Sequence, residues 1–267
     1  MTQPDEIRMT LGEHLDELRR RIFYALLGPA VGFVVCFGFF RDELLDLILN
    51  PVYPHWELFG YTILDIRPVD VQFTMRAPYA AFTTCMFISL IAALILSAPW
   101  SLYHLWAFVA TGLRPPERRW VRVFAPFSLV LFAAGAAFFY FVAYPIVISF
   151  FYEFGREFNA HVGRQVITDY TDFNGYVSFV MVLIFVFGLM FELPLVVFFL
   201  GKTRLVSVAT FRRLRRHVIL GIFIVAAIVT PPDVFSQVSL ALPMVLLYEL
   251  GIWMVALSGK ARGRAEP

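Results

Sequence analysis

Cysteine and charge are scarce in this chain. It has 2 cysteines in 267 residues, and charged residues make up 16%. Cys36 and Cys85 both lie inside apolar runs, which excludes a disulfide framework and a cysteine-type zinc site and leaves both to packing. The 5 histidines, His14, His55, His104, His161 and His217, are scattered among separate segments. There is no His-Glu-x-x-His and no Gly-x-Ser-x-Gly. Gly201-Lys202-Thr203 looks like the end of a P-loop, but Val196 stands where its first glycine should be. No nucleotide, metal or nucleophile machinery is legible, so no cofactor, no enzymatic activity and no nucleic-acid partner is expected. Long internal repeats and low-complexity tracts are also missing.

What is abundant is apolar surface. Hydrophobic residues reach 60% with 30 phenylalanines, against roughly 45–50% apolar residues in soluble domains, and mean hydropathy is +0.73. A soluble globule cannot hide that much apolar area, and a disordered chain would not contain it. The composition is that of an integral membrane protein.

A helix needs about 20 apolar residues to cross the bilayer core. The spans are expected at about 22–40, 77–98, 123–148, 173–200, 217–230 and 236–257, the second stopped by Pro99. They form one polytopic membrane domain over 1–267, an all-α fold of six transmembrane helices. Residues 10–21 read as a juxtamembrane helix, opened by the capping box Thr10-Leu11-Gly12-Glu13. Residues 41–76 and 153–172 are long enough to form outer caps. An even number of spans puts both termini on one side, and the positive-inside rule chooses it. With the N terminus inside, 17 of the 22 Lys and Arg residues fall in cytoplasmic segments and 5 in outer ones. The expected topology is therefore N-in/C-in. The fifth and sixth helices are expected to be short. Between Arg216 and Asp233 only about 24 Å of helix fits, a mismatch relieved by thinning the bilayer or docking a partner helix. Gly28-x-x-x-Gly32 permits close helix packing.

Several polar residues stand out. Asp16/Arg20 and Glu17/Arg21 are i,i+4 pairs on the juxtamembrane helix. They read either as a solvated, salt-bridged face or as carboxylates offered to a cationic ligand. Glu117 is the only acid among Arg114, Arg118, Arg119 and Arg122. After Pro115-Pro116 it suits a helix start, where a carboxylate favours the dipole; it equally suits bidentate pairing with a ligand guanidinium beside Glu17. Glu192 and Glu249 lie deep in the fourth and sixth spans, where a carboxylate costs several kcal/mol unless paired, hydrated or protonated. Each is a functional candidate or a carboxyl bonded to a neighbouring helix. Arg20-Arg21-Ile22-Phe23 imitates a paired-arginine export signal, but the run is as long as a true span, no small-residue cleavage site follows and five more spans do.

Taken in order, these motifs resemble the TatC family, the multispanning subunit of the twin-arginine protein translocase. The matching stretches are His14 to Arg21; Ser97-Ala98-Pro99 through Tyr103-His104-Leu105-Trp106-Ala107-Phe108; Glu117-Arg118-Arg119; Phe187-Gly188 and Phe191-Glu192-Leu193-Pro194; Thr230-Pro231-Pro232-Asp233-Val234-Phe235-Ser236-Gln237; and Ala241-Leu242-Pro243-Met244 to Tyr248-Glu249. One departure is Thr111, where the family has proline before Gly-Leu; Pro115-Pro116 stiffens the same loop instead.

The resemblance implies a concave helix arrangement and a receptor role. Twin-arginine signal peptides of folded cargo would bind at the cytoplasmic face, with Glu17, Glu117 and Arg19 at matching positions. Pro51 and Asp233 match outer-loop positions tied to assembly. Glu192 matches the polar residue of the concave wall, with Glu249 as a second intramembrane acid. Thr230 and Gln237 match positions near the docking site of single-span TatA-type and TatB-type partners. Self-association, export driven by the proton-motive force, and residence in the bacterial cytoplasmic (inner) membrane follow from the same likeness. A proton-coupled secondary transporter using Glu192 is the alternative; it calls for paired internal repeats, which the sequence lacks.

Overall fold

The computed structural model describes residues 11–49, 57–58, 61–62, 72–75, 77–111, 115–162, 170–230 and 233–263. Helices dominate. The chain runs α1 (Leu11–Phe39), α2 (Arg41–Leu49), α3 (Ala80–Leu96), α4 (Ala98–Thr111), α5 (Pro115–Phe138), a π-helical segment (Phe139–Ala143), α6 (Tyr144–Val162), α7 (Phe173–Met190), α8 (Leu193–Lys202), α9 (Val208–Val229) and α10 (Val234–Gly263). Four strands of two or three residues lie in the connecting segments. β1 (Glu57–Leu58) pairs antiparallel with β2 (Tyr61–Thr62), and β3 (Gln72–Thr74) pairs parallel with β4 (Tyr170–Asp172). The second ladder joins the two segments expected to cap the outer side.

Among the described residues four helical stretches are long and apolar enough to span a bilayer: 18–39, 120–162, 173–202 and 234–258. A fifth arises if α3 and α4, bent by 54° at Ser97, count as one. α9 is not among them, because its first half carries Arg212, Arg213, Arg215 and Arg216. The chain is thus a multi-pass helical membrane protein in which the fifth expected span is short.

Four boundaries depart from the sequence reading. The sixth helix is not short: α10 runs 30 residues with Pro243 inside it. Pro99 does not simply stop a span. It sits in the first turn of a new helix, where its missing N–H costs nothing. The third span does not give way to a cap at 153, since α6 stays helical to Val162. The fourth is interrupted: α7 ends at Met190, Phe191 and Glu192 form a turn, and Pro194 enters the first turn of α8.

Inside a bilayer, helices gain little from burying oil against oil and depend on close packing and interhelical hydrogen bonds. Both are visible here. Pro29 within α1 has no N–H for the carbonyl of Ala25 four residues earlier. Ser101 Oγ of α4 donates to that carbonyl at 2.9 Å, and Trp100 Nε1 donates to the carbonyl of Tyr24 at 2.6 Å. Gly28 makes room: a Cβ there would lie 2.6 Å from Trp100 Cδ1, while one at Gly32 would press on Ala93 of α3. The Gly28-x-x-x-Gly32 motif is therefore the seat on which α3 and α4 pack. The main core lies among α1, α3, α7, α9 and α10, with Ile88, Ala93, Val177, Val180, Ala226, Ala241 and Met244 fully enclosed.

Two helices are opened by their own side chains. Asp172 accepts from Gly175 N at 3.1 Å to start α7, and Ser207 accepts from Thr210 N at 3.1 Å to start α9. The last carbonyls of α2 are closed by distant tyrosines: Tyr140 Oη donates to Leu47 O at 2.7 Å and Tyr144 Oη to Ile48 O at 3.2 Å. Both flank or occupy the π-helical segment, and Tyr144 also bonds Tyr176 Oη of α7.

Candidate functional site

One end of the bundle collects the basic segments. Arg21 of α1, Thr111 of α4, and Arg118 and Arg122 of α5 line a cavity of about 630 Å³ floored by Trp106, Ala107 and Val121. Beside it Lys202, at the end of α8, lies 5.0 Å from the ring of Trp120 on α5 and 2.5 Å from Ser258 Oγ on α10. Glu17 falls one turn before Arg21 on α1, and Glu117 directly precedes Arg118 in the first turn of α5. The side chains of Glu17 and Glu117 lie outside the described set, as does Pro51 altogether. Arg19 is exposed on α1.

Glu192 occupies the turn between α7 and α8 and is 9% exposed. Its Oε2 accepts a hydrogen bond from Ser128 Oγ of α5 at 2.7 Å, while Oε1 is buried with no partner among the described protein groups. Ser128 is itself fully buried. The register is set two helical turns further along α5. A Cβ at Gly135 would lie 2.5 Å from the carbonyl of Phe187 and 2.9 Å from Phe191, and the ring of Phe132 fills the space over Gly188. Residues 128, 132 and 135 form one stripe of α5 laid against the end of α7. That close approach aims the Ser128 hydroxyl at the helix break.

Glu249 does not sit alone. Its Oε2 receives Arg215 Nη2 of α9 at 2.6 Å, with side-chain exposures of 36% and 43% for acid and base. Next to it Tyr248 Oη donates to Phe211 O at 3.0 Å. The carboxylate is matched by a cation of the neighbouring helix, so the sixth span carries an ion pair, not a lone acid.

At the opposite end, the α9–α10 connection is held by its own side chains. Thr230 Oγ1 donates to Ala226 O at 2.9 Å, Asp233 Oδ1 accepts from Ser236 N at 2.7 Å, and Gln237 Nε2 reaches back to Phe223 O at 3.1 Å. Asp233 is an N-cap of α10 and Gln237 a clasp between the two helices. Both therefore have a local structural task.

Sequence reasoning missed Ser128, Gly135, Trp100 and Ser101. Pro29 was the available signal for Ser101, since a proline inside a membrane helix leaves an acceptor that some neighbour must satisfy. Nothing in the sequence pairs Ser128 with a residue 64 positions away.

Known proteins agree with this architecture. A family model, TatC, Sec-independent protein translocase protein, matches residues 13–243. The Sec-independent protein translocase protein TatC of Frankia casuarinae is 38% identical over 267 residues, which is 98% of this chain and 71% of that protein. The TatC of Escherichia coli strain K12 is 36% identical over 256 residues, 95% of this chain and 91% of that one. A crystal structure of a twin arginine translocase receptor, TatC, superposes with a TM-score of 0.76 at 29% identity, covering 92% of this chain and 100% of that chain. These likenesses displace the small-solute carrier reading of Glu192. The match over residues 13–243 and the relatives at 36–38% identity over nearly the whole chain show that it belongs to the TatC family, a multi-pass membrane component of twin-arginine protein transport.

Proposed function

We propose that this chain is the receptor subunit of its translocase and binds twin-arginine signal peptides of folded proteins through Glu17 and Glu117, with Arg19 at the edge of the same site. The observation that carries the reading is the shared cavity: Arg21, one turn from Glu17, and Arg118, adjacent to Glu117, line one space of about 630 Å³. A peptide guanidinium gains most from bidentate carboxylate pairing. The basic lining sharpens this demand. Among these arginines a cationic peptide needs carboxylates to hold it, and an ammonium, which cannot pair bidentately, is a poor substitute for a guanidinium.

In this reading the basic end of the bundle faces the cytoplasm, giving N-in/C-in topology and six spans in a bacterial inner membrane. The positive-inside distribution supports it. α9, too short and basic to span unaided, would thin the bilayer and hold TatA-type and TatB-type single-span helices near Thr230 and Gln237. Pro51 and Asp233 would keep the outer side in shape for assembly and self-association. The proton-motive force supplies the drive, and folded cargo passes where the bilayer is weakened and partners gather.

The test is crosslinking of a twin-arginine peptide and its Lys-Lys variant to membranes holding parent, Glu17→Gln, Glu117→Gln and the double variant. Loss of crosslinking with the Lys-Lys peptide and with the double variant is the expected result. Equal crosslinking throughout would reject the assignment.

A further inference from the structure

A second, smaller cavity of about 310 Å³ opens where α8, the 203–207 connection and the start of α9 meet the end of α10. Two membrane spans stop at its wall: one ends at Lys202 and another at Ser258. α8 ends at Lys202, and beyond Ser258 the apolar stretch of α10 gives way to Lys260 and Arg262, a change of composition that suits the boundary between apolar core and headgroup layer. Its polar lining is Lys202, Arg204, Ser207 and Ser258; its apolar lining includes Phe198 and Val255. Among the described residues no carboxylate lines it.

The two cations are fixed in different ways. Lys202 is steered by Ser258 Oγ at 2.5 Å and by the rings of Trp120 at 5.0 Å and Phe198 at 5.8 Å. Its stem runs along apolar surface and its ammonium is held at the pocket. Arg204 adopts φ 58°, the left-handed conformation that ends helices and favours glycine, with its N–H on Gly201 O at 3.2 Å. Gly201 lets α8 lie directly against Val255 of α10, so the pocket is a rigid seam.

We propose that this pocket binds the phosphodiester headgroup of an anionic phospholipid, with Lys202 and Arg204 on the phosphate, Ser207 and Ser258 at its rim, and the acyl chains over Phe198 and Val255. Two cations without acids, an apolar floor and a place at the membrane boundary are what such a ligand requires. The inference rests on where two spans end and is independent of signal recognition.

Native mass spectrometry of the full chain, released from vesicles of phosphatidylglycerol and phosphatidylcholine in equal parts, tests it. Retained phosphatidylglycerol should exceed phosphatidylcholine by roughly ten- to thirty-fold, the scale of two cationic contacts with an anionic headgroup. Lys202→Gln with Arg204→Gln should erase that preference. Arg212→Gln with Arg213→Gln, which removes the same charge from exposed positions of α9 outside the pocket, should keep it. An equal loss in both double variants, or none in the first, overturns the proposal. Displacement of the lipid by millimolar inorganic phosphate would show a site for free phosphate and overturns the lipid assignment. A photoreactive phosphatidylglycerol on the unaltered chain gives an answer independent of variant folding. Adducts within 198–208 and 255–258 support the site, and adducts confined to other segments reject it.

Discussion

Ser101 Oγ donates a 2.9 Å hydrogen bond to the carbonyl of Ala25, the acceptor that Pro29 deprives of its helical N–H. A proline that would weaken α1 in isolation becomes the point where α4 is fastened to it. Trp100 makes the neighbouring bond to Tyr24 O and rests over Gly28, so one turn of α4 holds two carbonyls of α1.

Ser101→Ala should therefore cost about 0.5–1.5 kcal/mol, the net worth of a part-buried hydrogen bond whose acceptor has no helical donor of its own. In a Pro29→Ala background, where the N–H returns, the same change should cost much less. Reversible unfolding in mixed micelles, arranged as a double-mutant cycle, measures the difference. A cost independent of residue 29 would contradict the pairing.

At the helix break, Glu192→Gln keeps an acceptor for the Ser128 hydroxyl, whereas Glu192→Leu removes it and strands a fully buried donor. Export of a folded reporter at matched membrane levels should be near normal for Gln and lost for Leu. Should Gln fail as badly as Leu, a titrating proton at this site is required. Normal export by Leu would reduce Glu192 to packing.

Gly135→Ala places a methyl 2.5 Å from a backbone oxygen of α7, which no rotamer change can relieve. α5 must move away, taking Ser128 from Glu192. The expected loss is about 1–3 kcal/mol of stability, together with reduced export. Serine at the same position should be no better, which a simple polarity effect would not predict.

For signal recognition, each single Glu→Gln change at residues 17 and 117 should weaken peptide binding by roughly 1.5–3 kcal/mol, about 10- to 100-fold. Membrane insertion should survive, since both lie at helix starts outside the apolar spans. Titration with a fluorescent peptide reads the affinity. A change in expression of the same size as the change in binding would point to folding.

The Arg215–Glu249 pair predicts a charge-swap rescue. Glu249→Arg alone should lower membrane levels through repulsion of Arg215, and Arg215→Glu with Glu249→Arg should restore them. Immunoblotting of membranes checks it. Failure of the swap together with tolerance of the single change would show that the pair contributes little, as half-exposed ion pairs often do.

The helical membrane class, most segment positions and the family were legible in the sequence because they depend on local quantities. A run of about 20 apolar residues can only be helix in lipid. The short α9 was visible for the same reason, as Arg216 and Asp233 bound an apolar stretch too brief for the core. What lies between helices was not. Whether Pro99 ends a span or restarts one depended on how α4 meets α1. The expected sixth span already ran through Pro243, but α10 continues past its expected end at 257 to Gly263. Glu249 looked like a solitary acid until α9 brought Arg215 to it, and Glu192 found its donor on a helix 64 residues earlier. Hydropathy and caps are sums over neighbours in the chain; a hydrogen bond or a cavity between helices is a product of their mutual register, and only the folded bundle fixes that.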